Sequence, residues 1–278
     1  MTQPTWGGDW TKTKLQILSA YLDRYTTVLK GQPFNLWYID AFAGTGTVEL
    51  EGAGEDARQF LDGSAKLALD VRARAFDRFV FIEKKRSRTK GLAGLPRLPS
   101  QEVSIHEGDA NREVRELCAS TDWRRTRAVA FIDPFATQTG WATVEAVAET
   151  QAIDTWILFP VFAIRRILPR SALPEQTSAD WAANLTRVFG DKSWRDLYSA
   201  AAQLPMFGER GVETERGVAG IVSLYRSKLE TVFPHVAPQS RRLVNSQDSP
   251  LFEFMFAAGN PRGGEIAVRI ATHLLRTM

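Results

Sequence analysis

Four strand-like segments of this chain end at or near a carboxylate: Asp40 after FNLWYI, Glu83 after DRFVFI, Asp109 after EVSIHEG and Asp133 after TRAVAFI. A carboxylate accepts hydrogen bonds and attracts cations, so acids at four equivalent places outline a binding edge. The first leads straight into Ala41, Phe42, Ala43, Gly44, Thr45 and Gly46. The glycine pair lets backbone pass close to a ligand without a Cβ collision, and its amides can receive polar groups. Phe42 stands where the dinucleotide fingerprint has its first glycine, and no lysine follows Gly46. The turn is thus neither G-x-G-x-x-G nor a Walker loop.

The other acids extend the chemistry. Glu83, with Lys84 beside it, is suited to a ribose diol. Asp109, Ala110 and Asn111 offer a carboxylate and an amide to an adenine edge. Such a site has a sugar acceptor, a purine reader and a close-approach turn but no phosphate cradle. It suits S-adenosylmethionine, a nucleoside whose tail is an amino acid. Asp40 either takes the tail's ammonium or organises the loop. At the fourth run, Asp133 and the Pro134 carbonyl can draw the hydrogens of an exocyclic amine. Phe135 can stack on a base, a contact worth ~1–3 kcal/mol. Plainer readings stand beside these: Asp133 capping the next helix, Phe135 packing in the core, Asp109 and Asn111 forming an ordinary turn. Arg165, Arg166 and Arg170 follow a fifth apolar run and suit phosphate groups. Trp141, Trp181 and Trp194 read as helix-packing core in preference to stacking surfaces.

The elements that must position these residues can be read from periodicity. Leu15, Leu18, Leu22, Tyr25 and Leu29 fall at three- and four-residue steps, predicting a helix over 11–30 that Gly31 and Pro33 end. Five segments read as strands, the last being IDTWILFP, and the continuous apolar run FNLWYIDAF is as expected of a buried central one. Helices are expected at Arg86–Leu92, Arg112–Cys118 and Trp141–Glu149, and one capped by Ser64 reaching about Ala75. Residues 48–63 read as a long Gly- and acid-rich loop. Alternating strands and helices mean a parallel sheet with helices on both faces. Beyond Pro160 helices are expected near 179–189, 191–203 and 213–232, the first capped by Ser178 and Gly190. A hairpin in RRLVNSQDSPLFEFMFAAGN and a closing helix in GGEIAVRIATHLLRT complete the chain.

The chain has 278 residues, 44% of them apolar, and a net charge of +3, which fits a nucleic-acid partner without requiring one. Cys118 is the only cysteine, so an internal disulfide and a cysteine-based metal cluster are excluded. The three histidines are far apart, and no metal is expected. No stretch is apolar enough to span a membrane and the N-terminus lacks signal-peptide features, so the expected location is the cytoplasm.

DAFAGTGT is similar to motif I of the amino-group methyltransferases, where F-x-G-x-G replaces G-x-G-x-G. FIEK, GDAN and FIDPF follow in the order that class I methyltransferases show. In the amino-methylating branch the fourth strand ends in Asp/Asn-Pro-Pro-aromatic; Asp133-Pro134-Phe135-Ala136 is one proline short. The opening helix, LWYIDAFAGTG, GSAKLAL, FDRFVFIEK, FIDPFATQTGWATVEAVA, IDTWILFP and PLFEFMFAAGNP together resemble the three-Cys-motif partner family, with Ala136 in place of that family's usual glycine. The resemblance implies a Rossmann-like class I methyltransferase sheet, mostly parallel with an antiparallel edge strand. It implies a donor-binding core over 1–160, a helical insertion over 161–235 for substrate recognition, and a C-terminal hairpin and helix over 236–278. It further implies S-adenosylmethionine as cofactor, a nucleic-acid amino group as acceptor, and a three-cysteine-motif protein as partner. The alternatives are a peptide or small-molecule methyltransferase, or a non-catalytic donor-binding module serving a partner.

Overall fold

The computed structural model describes residues 9–50, 59–71, 75–168, 177–197 and 210–278. Its centre is an eight-stranded sheet built from β1 (Asn35–Asp40), β4 (Arg78–Glu83), β5 (Glu102–Glu107), β6 (Thr126–Ile132), β7 (Ile153–Phe159), β8 (His235–Val236), β9 (Arg241–Val244) and β10 (Pro250–Ala258). The order is β5-β4-β1-β6-β7-β10-β8, with β9 also pairing with β10. Pairs β4–β5, β1–β4, β1–β6 and β6–β7 are parallel; β10 is antiparallel to its neighbours. The chain is therefore an α/β protein of the Rossmann-like class with a mostly parallel mixed sheet.

Strand propagation runs outward from β1 to β5 on one side and from β6 onward on the other. The switch point lies between β1 and β6, where Asp40 is in register with Phe131. In such sheets ligands bind beyond the C-terminal strand ends at this crevice. The Gly44 turn and the Asp133 loop leave from those two ends.

The central strands β1, β4, β6 and β7 are buried on both faces, which is why they read as apolar runs, while β5 at the edge is half-exposed. Ile39, Val80, Ala130, Ile132 and Ile157 face one layer, with Tyr38, Phe79, Phe81, Phe131 and Leu158 on the other. The first layer holds α4 (Ala110–Ser120), α5 (Trp141–Glu149), α6 (Val161–Ile167), α7 (Ala179–Phe189) and α8 (Arg210–Val232). The second holds α1 (Asp9–Val28), α2 (Ser64–Leu69), α3 (Arg86–Ala93) and α9 (Gly264–Thr277). The helical segment after Pro160 shares its core with the sheet: Tyr225 of α8 stacks on Phe159 of β7 at 4.0 Å.

Some expectations need correction. The long loop at 48–63 holds two paired antiparallel strands, β2 (Thr47–Leu50) and β3 (Gln59–Asp62). The expected antiparallel pairing does lie at one edge of the sheet, where β10 carries both β9 and the two-residue β8. Ser64 is not a cap; Gly63 holds the N-cap position of α2, and the Ser64 hydroxyl is used elsewhere. That helix ends at Leu69, six residues short of the expected stop. Of the helix expected at 191–203, the described residues show a 3₁₀ turn at Ser193–Arg195 leading into α-helix at 196–197, and the remainder lies outside the described residues, as does Arg170. Ser178 and Gly190 do cap α7: the Ser178 hydroxyl accepts from the Trp181 amide, and Gly190 is left-handed.

Candidate functional site

The turn after β1 is held from below. Asp40 is fully buried, and its carboxylate gathers the Ser64 hydroxyl at 2.5 Å, the Tyr38 hydroxyl at 3.2 Å and the Phe42 amide at 3.3 Å. Burial, reinforced by the nearby Asp133 charge, pushes its pKa up to about 7 against the pull of those donors. Of the two roles open to Asp40, the structure supports organising the loop; its oxygens do not reach the crevice. The Ala41 and Ala43 amides donate to the Phe131 and Ile82 carbonyls, both at 3.0 Å, pinning the turn to the strands on either side.

Gly44 and Gly46 both have positive φ, +62° and +80°, a region costly for L side chains. They differ in what surrounds them. A Cβ on Gly46 would lie 2.6 Å from Leu95 Cδ1, whereas one on Gly44 would meet no protein atom within 4 Å. Gly46 therefore packs the turn against the end of α3, while Gly44 borders open space. Thr45 beside it is exposed, and Phe42 packs partly against the core.

Glu83 is buried, with Oε1 accepting from the Lys85 amide at 2.7 Å and Oε2 3.6 Å from the Arg88 guanidinium. It braces its own loop, and a sugar diol would have to compete with Arg88. Lys84 is exposed. Asp109 caps α4, accepting from the Asn111 and Arg112 amides, and Ala110 is buried behind it. The Asn111 amide is engaged within the protein. Its Oδ1 accepts from the Gly140 amide and the Thr143 hydroxyl, both at 2.8 Å, and its Nδ2 donates to the Gln138 carbonyl at 2.9 Å. The side chain staples the loop after β6 to α4.

That loop carries the acceptor candidates. Arg187 of α7 donates to the Thr137 and Gln138 carbonyls, and Asn184 to the Thr137 hydroxyl. Pinned on both flanks, the loop turns at Ala136 with φ +54°, a left-handed position that favours glycine. Phe135 is 60% exposed, so it is not core, and Pro134 is buried beneath it. Asp133 does not cap α5, whose N-cap is Gly140. It is instead ion-paired with Lys14 of α1, a nearly buried lysine whose Nζ also lies 5.2 Å from the Trp10 ring and 5.7 Å from the Phe131 ring. Lys14 was not singled out from the sequence. The signal was there: it shares the inward face of α1 with Leu18 and Tyr21, where an apolar residue belongs.

Arg165 and Arg166 lie on α6, just past the end of β7; Arg166 is exposed and sits 5.8 Å from the ring of the exposed Phe162. Trp141 and Trp194 are core residues, while Trp181 is 43% exposed. Among the described residues no group of three metal-ligating side chains comes together, and no helix is long and apolar enough to cross a membrane.

No protein-family model matches the chain, and no curated protein does. The crystal structure of protein LPL1258 from Legionella pneumophila str. Philadelphia 1, family-model DUF519, is similar in fold, with a TM-score of 0.55 over 97% of this chain and 93% of that one at 13% identity. Likeness at that identity concerns the fold alone.

Proposed function

We propose that this chain is an S-adenosylmethionine-dependent methyltransferase acting on an exocyclic amino group of a nucleic-acid base, and that it is a three-Cys-motif partner protein. The observation that carries the reading is the pairing across the switch point. A glycine turn with open space at Gly44 faces a pinned Asp133-Pro134-Phe135 loop whose ring projects into solvent. The donor fits this cradle because a Cβ at Gly44 would occupy it and because Asp109 and Thr45 remain exposed at its rim.

When bound, S-adenosylmethionine supplies an electrophilic methyl group. The protein's share is alignment and exclusion of water. Phe135 stacks the base in the crevice, which a base paired in a duplex reaches only by flipping. Asp133 and the Pro134 carbonyl accept the amine's two hydrogens, concentrating its lone pair on nitrogen. Lys14 fixes the Asp133 carboxylate on the side away from the base, and Arg165 and Arg166 take neighbouring phosphates.

The test is incubation with labelled donor and total DNA, RNA and protein, followed by tracking of the label. Transfer to nucleosides, lost in Asp133→Ala, is expected; transfer that survives that change intact removes the assignment. The Lys14–Asp133 ion pair favours a second reading, because it already engages the acceptor acid. In that reading the chain binds the donor without using it and serves a three-cysteine-motif protein. Donor binding without label in any pool supports that alternative.

A further inference from the structure

A groove of about 720 Å³ runs between α5 and α7. Its floor is Trp141 and Trp194, both buried, and its rim carries Arg187, Lys192 and Arg195 against one acid, Glu145. The nearby Asp191 carboxylate is held by Lys228 at 2.7 Å, which lowers its pKa, so it adds no uncompensated negative charge beside Lys192. Arg187 joins the groove to the acceptor loop, since the same guanidinium grips the Thr137 and Gln138 carbonyls. Gly140 lines the groove and lies five residues after Phe135, at most about 18 Å of extended chain.

We infer that this groove carries the phosphodiester backbone of the single strand whose base is presented at Phe135. The inference rests on the acceptor reading above for the position of that base. A cationic rim within a few nucleotides of an exposed stacking ring matches a chain that alternates phosphate and base. An acidic peptide would satisfy the rim and leave Phe135 without a role.

The test uses full-length protein and short labelled oligothymidylate and oligouridylate. Neither base has an exocyclic amine, so binding is read independently of methyl transfer. Lys192 and Arg195 are both exposed, so Lys192→Gln/Arg195→Gln keeps the fold. Loss of two single-strand phosphate contacts reduces the slope of log K against log salt by about 1.4, and the affinity roughly 25-fold at 0.1 M salt. Arg269→Gln/Arg276→Gln removes the same charge from α9, on the other face of the sheet, and should leave both near wild type. A wild-type slope in the groove variant, an equal loss in the α9 variant, or displacement of the oligonucleotide by polyglutamate at matched charge overturns the inference. The tighter of the two strands identifies DNA or RNA as the source. Groove-dependent binding in a protein that transfers no methyl group to any pool keeps the groove and removes only the acceptor reading.

Discussion

The sharpest prediction compares alanine at two glycines of one turn. Both have positive φ, so both variants incur the left-handed backbone cost of ~1 kcal/mol relative to glycine. At Gly44 nothing is added to it, because the new Cβ meets no protein atom within 4 Å. At Gly46 the Cβ lands 2.6 Å from Leu95 Cδ1, and displacing that side chain costs a further ~1–3 kcal/mol of overpacking. Urea denaturation should thus show Gly44→Ala destabilised by ~1 kcal/mol and Gly46→Ala by ~2–4 kcal/mol. Donor affinity should rank the other way. The Gly44 methyl enters the space assigned to S-adenosylmethionine, and an unrelieved clash of ~2 kcal/mol corresponds to roughly 30-fold weaker binding. Titration calorimetry with S-adenosylmethionine on the folded variants reads this directly. Gly44→Ala with wild-type donor affinity refutes the cradle; equal stability losses in the two variants refute the division of labour within the turn.

Three further predictions follow from the same geometry. Lys14→Met leaves Asp133 without its cation; with Asp133 a quarter exposed, the loss should be ~2–3 kcal/mol, below the range for fully buried pairs, and Asp133→Asn in the same chain should restore much of it in urea titrations. Asp154 is buried on β7 with the Tyr21 hydroxyl at 2.7 Å, and burial raises its pKa from 3.8 to about 7. Between those values the folded chain keeps a proton that the unfolded chain has lost, so stability falls as pH rises, by up to about 1.4 kcal/mol per unit. Asp154→Asn removes that share of the slope, leaving the share of Asp40, which is shifted the same way; a slope unchanged between pH 4 and 7 contradicts the shift. Ala136→Gly relieves a left-handed residue and should raise stability by ~0.5–1 kcal/mol in thermal melts.

Much of the fold was legible because parallel strands buried on both faces leave an unambiguous mark. Four apolar runs became β1, β4, β6 and β7, the mixed segment EVSIHE became the edge strand β5, and α5 spans the predicted Trp141–Glu149. The failures share a cause. β2 and β3 are four-residue strands paired only with each other, and β8 has two residues, so none carries a periodicity long enough to read. Ser64 looked like a cap because a serine before an apolar helix normally serves its own backbone. Here the buried Asp40 carboxylate, which demands donors, takes the hydroxyl.

The site was legible in position and less so in role, for one physical reason. A carboxylate at the end of a parallel strand stands where a ligand can bind, and also where the next turn or helix presents unsatisfied amides. Sequence shows the acid but not which claimant reaches it. Asp40 accepts from Phe42, Glu83 from Lys85, and Asp109 from Asn111 and Arg112: in each, an amide two or three residues on takes an oxygen. Asp133 does not cap the helix that follows it, since Gly140 holds the N-cap of α5. Its cation instead comes from Lys14, 119 residues away in sequence. The carboxylate is thus held from α1 by the Lys14 ion pair. On the acceptor reading proposed above, Lys14→Met should therefore slow methyl transfer without weakening donor binding at Gly44.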